Sequence, residues 1–136
     1  MADIPIADIT VRDETTSGKQ TGEIVLSGIA ATTTLRDLIR TRVREEVARF
    51  NGRKQELVFN GLVQPTETEA VVNGYRLRKK RMLDWEKQAD VAVEALTKNR
   101  YFVLVDDRQI TELDQELTLT PDTNIAFVRL VPLVGG

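Results

Sequence analysis

Apolar residues mark two β-like runs at the start of the chain. "IADITVRDET" (6–15) carries Ile6, Ile9 and Val11 among polar neighbours, and "GEIVLSGIAA" (22–31) follows it. The polar, glycine-containing stretch between them predicts a hairpin. The period then changes. Leu35, Leu38, Ile39, Val43, Val47 and Phe50 recur at spacings of three and four, which makes one apolar stripe on a helix. Thr34 followed by Asp37 is a helix start signal of the capping-box type, and Asn51-Gly52 is a natural stop. Arg36, Arg40, Arg44 and Glu45 fall on the other faces.

Residues 51–100 carry a weaker pattern. "RKQELVFNGLVQPTETEAVVNG" predicts a turn, a short extended piece, another turn and one helical turn after Thr66. "YRLRKKRMLDWEKQADVAVEALTKNR" then places Met82, Trp85, Ala89, Ala92 or Val93, and Leu96 on one stripe, which predicts a second helix of about 20 residues ending near Asn99. Strand pieces close the chain. Tyr101 to Val105 is β-rich, Asp106-Asp107 turns, "RQIT" is a short return strand, Pro121-Asp122 turns again, and Ile125 to Val131 is the last strand. Strict alternation in that strand puts Val128 and Leu130 on one face, as a candidate exposed partner patch, and Ile125, Phe127 and Arg129 on the other. The order of elements suits an α+β domain with one sheet wrapped on a helix.

Composition narrows the chemistry. The 136 residues include no Cys and no His. That removes disulfides, a thiolate nucleophile, an imidazole base and the usual zinc ligands. Neither serine, Ser17 or Ser27, lies in a nucleophile-elbow context, and no P-loop or dinucleotide-binding glycine motif is present. No catalytic residue, metal site or cofactor is therefore expected. The net charge of −2 gives no global sign of a nucleic-acid or membrane partner. No apolar run approaches the roughly 20 residues that span a bilayer. The first residues lack the features of a secretory signal, so the expected location is cytoplasmic.

The last segment, "YFVLVDDRQITELDQELTLTPDTNIAFVRLVPLVGG", resembles the C-terminal half of ubiquitin and its β-grasp relatives. An apolar strand leads to a polar turn, and "LTLTPDT" leads to a final strand that runs into Gly135-Gly136. Residues 6–50 are similar to the N-terminal half in pattern. About 50 residues between the halves, near 51–100, have no counterpart in ubiquitin itself. The resemblance thus implies a single β-grasp domain over 1–136, with a helical insertion between the main helix and the third strand and a tail at 132–136. "VPLVGG" also resembles the tails of the small sulfur carriers of molybdopterin and thiamin synthesis. Ubiquitin's own tail alternates Leu and Arg, which this chain does not.

That resemblance implies that Gly136 is the reacting group. A C-terminal carboxylate has a pKa near ~3.5 and is a poor electrophile until activated. In the family an activating enzyme adenylates it with ATP. Gly135 and Gly136 tolerate a narrow channel, Leu133 and Val134 offer apolar grip, and Pro132 ends the strand. Two functions follow. One is a protein modifier joined through Gly136 to amines on target proteins, with an activating enzyme, a conjugating enzyme and a deconjugating protease as partners. Bacterial ubiquitin-like proteins, some associated with phage defence, are the nearest comparison. The other is a sulfur carrier bearing a thiocarboxylate. A β-grasp interaction domain with an inert tail is a third reading. Lys19, Lys54 and Lys98, with Lys79, Lys80 and Lys87, are candidate acceptors for a second copy. "RLRKKR" (76–81) is expected to be the solvated face of the second helix rather than a nucleic-acid contact. Trp85 is expected in the core.

Overall fold

A computed structural model describes residues 6–130. Strands β1 (Ile6–Thr15) and β2 (Gln20–Ala30) form the expected antiparallel hairpin. A short strand, β3 (Thr32–Thr34), leads into helix α1 (Leu35–Gly52). The helix starts there because the Thr34 hydroxyl accepts the Asp37 N–H at 3.1 Å, satisfying one of the free donors of the first turn. All six residues of the predicted stripe are buried.

Residues 58–77 form a small antiparallel sheet from β4 (Val58–Phe59), β5 (Thr68–Val71) and β6 (Gly74–Leu77), in the order β4-β6-β5. The helical turn expected after Thr66 is therefore strand β5. The hairpin between β5 and β6 requires glycine at position 74. Its φ is +149°, and a Cβ there would lie 2.5 Å from the Phe59 carbonyl oxygen. Helix α2 (Trp85–Thr97) follows. It has 13 residues rather than about 20, because Asp84 caps its start by accepting the Glu86 and Lys87 N–H groups. "RLRKKR" thus lies in β6 and the loop after it, not on a helix, and Met82 is exposed.

The remaining strands are β7 (Tyr101–Val105), β8 (Arg108–Ile110), β9 (Glu116–Thr118) and β10 (Ile125–Arg129). The main sheet has the order β2-β1-β10-β7-β8, and β9 pairs with β3 in a separate ribbon. β10 is the central strand. It runs parallel to β1, from Val11 opposite Ile125 to Thr15 opposite Arg129, and antiparallel to β7. The fold is therefore α+β with a mixed sheet and two helices. Ile9, Val11, Leu26, Val103, Ile125 and Phe127 join the α1 stripe in one core, which also takes in Phe59, Leu77, Ala89, Ala92 and Leu96. No helix among the described residues is long and apolar enough to cross a membrane.

Trp85 is half-buried at the edge of this core, with the guanidinium carbons of Arg40 and Arg44 5.2 Å and 5.6 Å from its ring centroid. Full burial of a Trp is worth about 3–5 kcal/mol on truncation to alanine; the half-buried ring predicts about 1–3 kcal/mol for Trp85→Ala. Urea unfolding of the variant checks this, and a loss above that range would place the ring in the closed core.

Candidate functional site

The end of the sheet where β10 stops gathers the least ordinary chemistry of the molecule. Its centre is Arg42, 1 % exposed, on the apolar stripe of α1. A buried guanidinium is tolerable only when its donors are used and its charge is matched. Here Nη1 and Nη2 donate to the two Asp13 carboxylate oxygens at 2.5 Å and 2.8 Å. Nε and Nη2 donate to Glu46 Oε2, both at 3.2 Å. The guanidinium carbon lies 4.6 Å from the Phe127 ring centroid. Glu46 Oε1 accepts the Leu62 N–H at 3.2 Å, and Arg129 Nη2 reaches Asp13 Oδ2 at 3.5 Å. One network thus ties β1, α1, the 53–83 segment and the last turn of β10 together.

Burial alone would lower the Arg42 pKa, but Glu46 and Asp13 outweigh it and hold the group above its ordinary value. Burial pushes the Glu46 carboxyl up, against Arg42 and the Leu62 N–H. The oxygens of both carboxylates are engaged, so the network is suited to positioning β10 rather than to moving protons. Tyr101 closes the same region. Its ring stacks on Phe127 with centroids 5.9 Å apart, and its hydroxyl donates to the Ala92 carbonyl at 2.6 Å. Burial pushes that hydroxyl's pKa well above the usual phenol range.

Above this floor a cleft opens between the β1–β2 hairpin, the C-terminal turn of α1, the β5–β6 hairpin and the end of α2. Arg129 and Leu130, the last described residues of the terminal strand, line it. So do Val72 and Val91, and these two and Leu130 are exposed large apolar residues. Three separate parts of the chain therefore present exposed apolar side chains along this cleft.

The residues expected to act are placed unevenly. Pro132, Leu133, Val134, Gly135 and Gly136 lie outside the described residues. Leu130 is exposed, but Val128 is only 4 % exposed, so the two do not form one open patch. Val128 lies opposite Glu14 on β1 and Phe102 on β7, in the middle of the sheet, where neighbours on both sides cover it. Arg129, awkward in a core by alternation alone, is accommodated by Asp13. Lys19, Lys54, Lys79 and Lys87 are exposed. Lys98 is exposed and paired with Glu94 at 2.9 Å. Lys80 is committed: its Nζ donates to the Phe50 and Glu56 carbonyls at 2.8 Å and 2.9 Å, closing the C-terminal end of α1. Among the described residues no cluster of His, Cys, Asp and Glu could hold a metal ion.

Sequence reading passed over Arg42, Glu46 and Asp13. A signal existed: positions 42 and 46 complete the 35, 38, 39, 43, 47, 50 stripe at helical spacing, so an Arg and a Glu four residues apart occupy core positions. Comparison with known protein families, with curated proteins and with solved structures gave no match.

Proposed function

We propose that this chain is a ubiquitin-like protein modifier, activated at the Gly136 carboxylate by an ATP-dependent enzyme and joined to target amines. The observation that carries the reading is the placement of β10. The terminal strand is the central strand of the sheet, held between β1 and β7 and anchored through Arg129 to Asp13. It stops at Leu130 on the rim of a cleft, with Pro132 and the Gly135-Gly136 pair following in sequence. A strand held in the centre of the sheet up to Arg129, followed in sequence by Pro132 and Gly135-Gly136, suits a partner that must grip that segment and reach its carboxylate. A mixed sheet wrapped on α1, with its first and last strands adjacent and parallel, supports the β-grasp form of the reading. In that form the segment at about 51–100 is the insertion.

The chain supplies the carboxylate, and the ATP chemistry comes from the partner. The test is conjugation in extracts of the native cells. Addition of ATP and magnesium should convert tagged protein to higher-mass adducts, and removal of Gly136 should abolish them while urea stability changes by less than about 0.5 kcal/mol. Adducts that form equally well without Gly136 would sink the proposal. A thiocarboxylate at Gly136 with no adducts would replace it with the sulfur-carrier reading.

A further inference from the structure

Charge is sorted along α1. The segment 106–122 wraps the helix N-terminus: the Leu35 and Arg36 N–H groups donate to the carbonyls of Gln115 and Leu113. β9 pairs with β3 directly before the helix. This segment carries Asp106, Asp107, Glu112, Asp114, Glu116 and Asp122, all exposed. Its basic residue is Arg108, and the neighbouring Arg36 pairs with Asp114 at 3.3 Å.

The other end of α1 is basic. Residues 53–57 run beside 76–80, with Val58 opposite Arg76, the Leu77 N–H on the Leu57 carbonyl at 2.8 Å, and Lys80 Nζ on the Glu56 carbonyl. This brings Arg53, Lys54, Arg76, Arg78 and Lys79 to one exposed surface. None of the five forms an ion pair among the described residues. The acids at this end include Glu45, Glu56, Glu67, Glu69 and Asp84. Glu45 is paired with Arg49 at 2.9 Å, the Glu56 carboxylate is occupied by the Val58 N–H at 3.1 Å, and Asp84, next to the Leu83 that bonds Asn51, caps α2.

The 18-residue helix separates the two ends by about 27 Å at about 1.5 Å per residue. That is several times the screening length of about 8 Å at physiological ionic strength. Each end therefore acts as a separate local field, although the whole chain carries only −2.

We propose that the basic end of one molecule docks on the acidic end of a second copy. Both complementary surfaces are present on the same chain, and like ends repel. This disfavours contact between like ends and selects contact between unlike surfaces, met by a head-to-tail arrangement or by an antiparallel pair. Exposed charge pairs are individually weak, so the association is concentration-dependent and sensitive to salt.

Sedimentation velocity of the full chain tests this. From about 10 µM to about 1 mM protein, the average size should rise with concentration in about 20 mM NaCl and return to the monomer in about 500 mM NaCl. Two charge-neutralising variants, R53Q/K54Q/R78Q/K79Q and E112Q/D114N/E116Q, should each keep the native circular dichroism and weaken self-association at least about tenfold at low salt. An equimolar mixture of the two should recover a 1:1 pair that grows no further, because each retains one intact end. Wild-type protein that stays monomeric at low salt would overturn the proposal. So would association undiminished in either variant, or a mixture no larger than its parts. A labelled duplex DNA of about 20 bp, bound by monomeric wild-type protein and released by the basic-end variant, would instead assign the surface to nucleic acid.

Discussion

Arg42→Ala is expected to destabilise the protein by about 3–5 kcal/mol, the scale for breaking a buried ion pair on one side. The Asp13 and Glu46 side chains are 14 % and 4 % exposed. Without Arg42, Asp13 retains Arg129 at 3.5 Å, while Glu46 retains only the Leu62 N–H and faces Asp13 across the vacated space. Arg42 also covers Phe127 with its guanidinium, so part of the loss is packing. Arg42→Met separates the two terms. It keeps the unbranched stem and removes the charge, and it should still lose most of the stability measured by urea unfolding. Adding Glu46→Gln to Arg42→Met should recover part of that loss, because the stranded carboxylate is gone. The two effects should therefore not add. If Arg42→Met were as stable as the natural protein, the network would contribute packing and no charge pairing.

Phe127→Ala is expected to cost about 3–5 kcal/mol as well, by loss of buried apolar area and the cavity left behind. The residue is fully buried in the central strand, stacked on Tyr101 and lying beneath Arg42. Tyr101 in turn bonds the α2 backbone, so the ring joins the terminal strand to both helices. Phe127→Leu should cost less than half as much, since it refills most of the space. Thermal and urea unfolding give both values. A cost for Phe127→Ala below about 1 kcal/mol would mean that the centre of the sheet can collapse around the gap. Because Arg42 and Phe127 touch, the double variant Arg42→Ala/Phe127→Ala should lose less than the sum of the single losses.

Legibility in the sequence followed the strength of the local signal. The hairpin at residues 6–30, helix α1 with its Thr34 cap, and strands β7, β8 and β10 were readable, because each combines a clear period with a turn or cap residue at its end. The three-residue strands β3 and β9 were not, since they exist only by pairing with each other. Nor was the middle of the chain. The apolar stripe through Met82 and Trp85 fits a helix extended backwards, but Asp84 intercepts it: a carboxylate that accepts two N–H groups sets the start, and Met82 is left outside. β4 is two residues long and β5 four. β4 exists only by pairing with the distant β6, and the Asn73-Gly74 signal of the β5–β6 hairpin reads as a turn without showing the strands on either side.

By itself the sequence determined the α+β class, the order of its principal elements and the absence of Cys and His chemistry, since these depend on residue type and on contacts within a few positions. Tertiary structure alone decided which charges are buried and where the exposed ones collect. Asp13 and Arg42 are 29 residues apart, and Asp13 and Arg129 are 116 apart. They meet only because the parallel register of β1 and β10 brings Asp13 opposite Phe127 beneath α1. The same pairing sets Val128 between two neighbouring strands, and the separate pairing of β4 with β6 brings the 53–54 and 76–79 cations to one end of the helix. Periodicity reports the face of an element; what that face meets is set by strand partners far away in the chain.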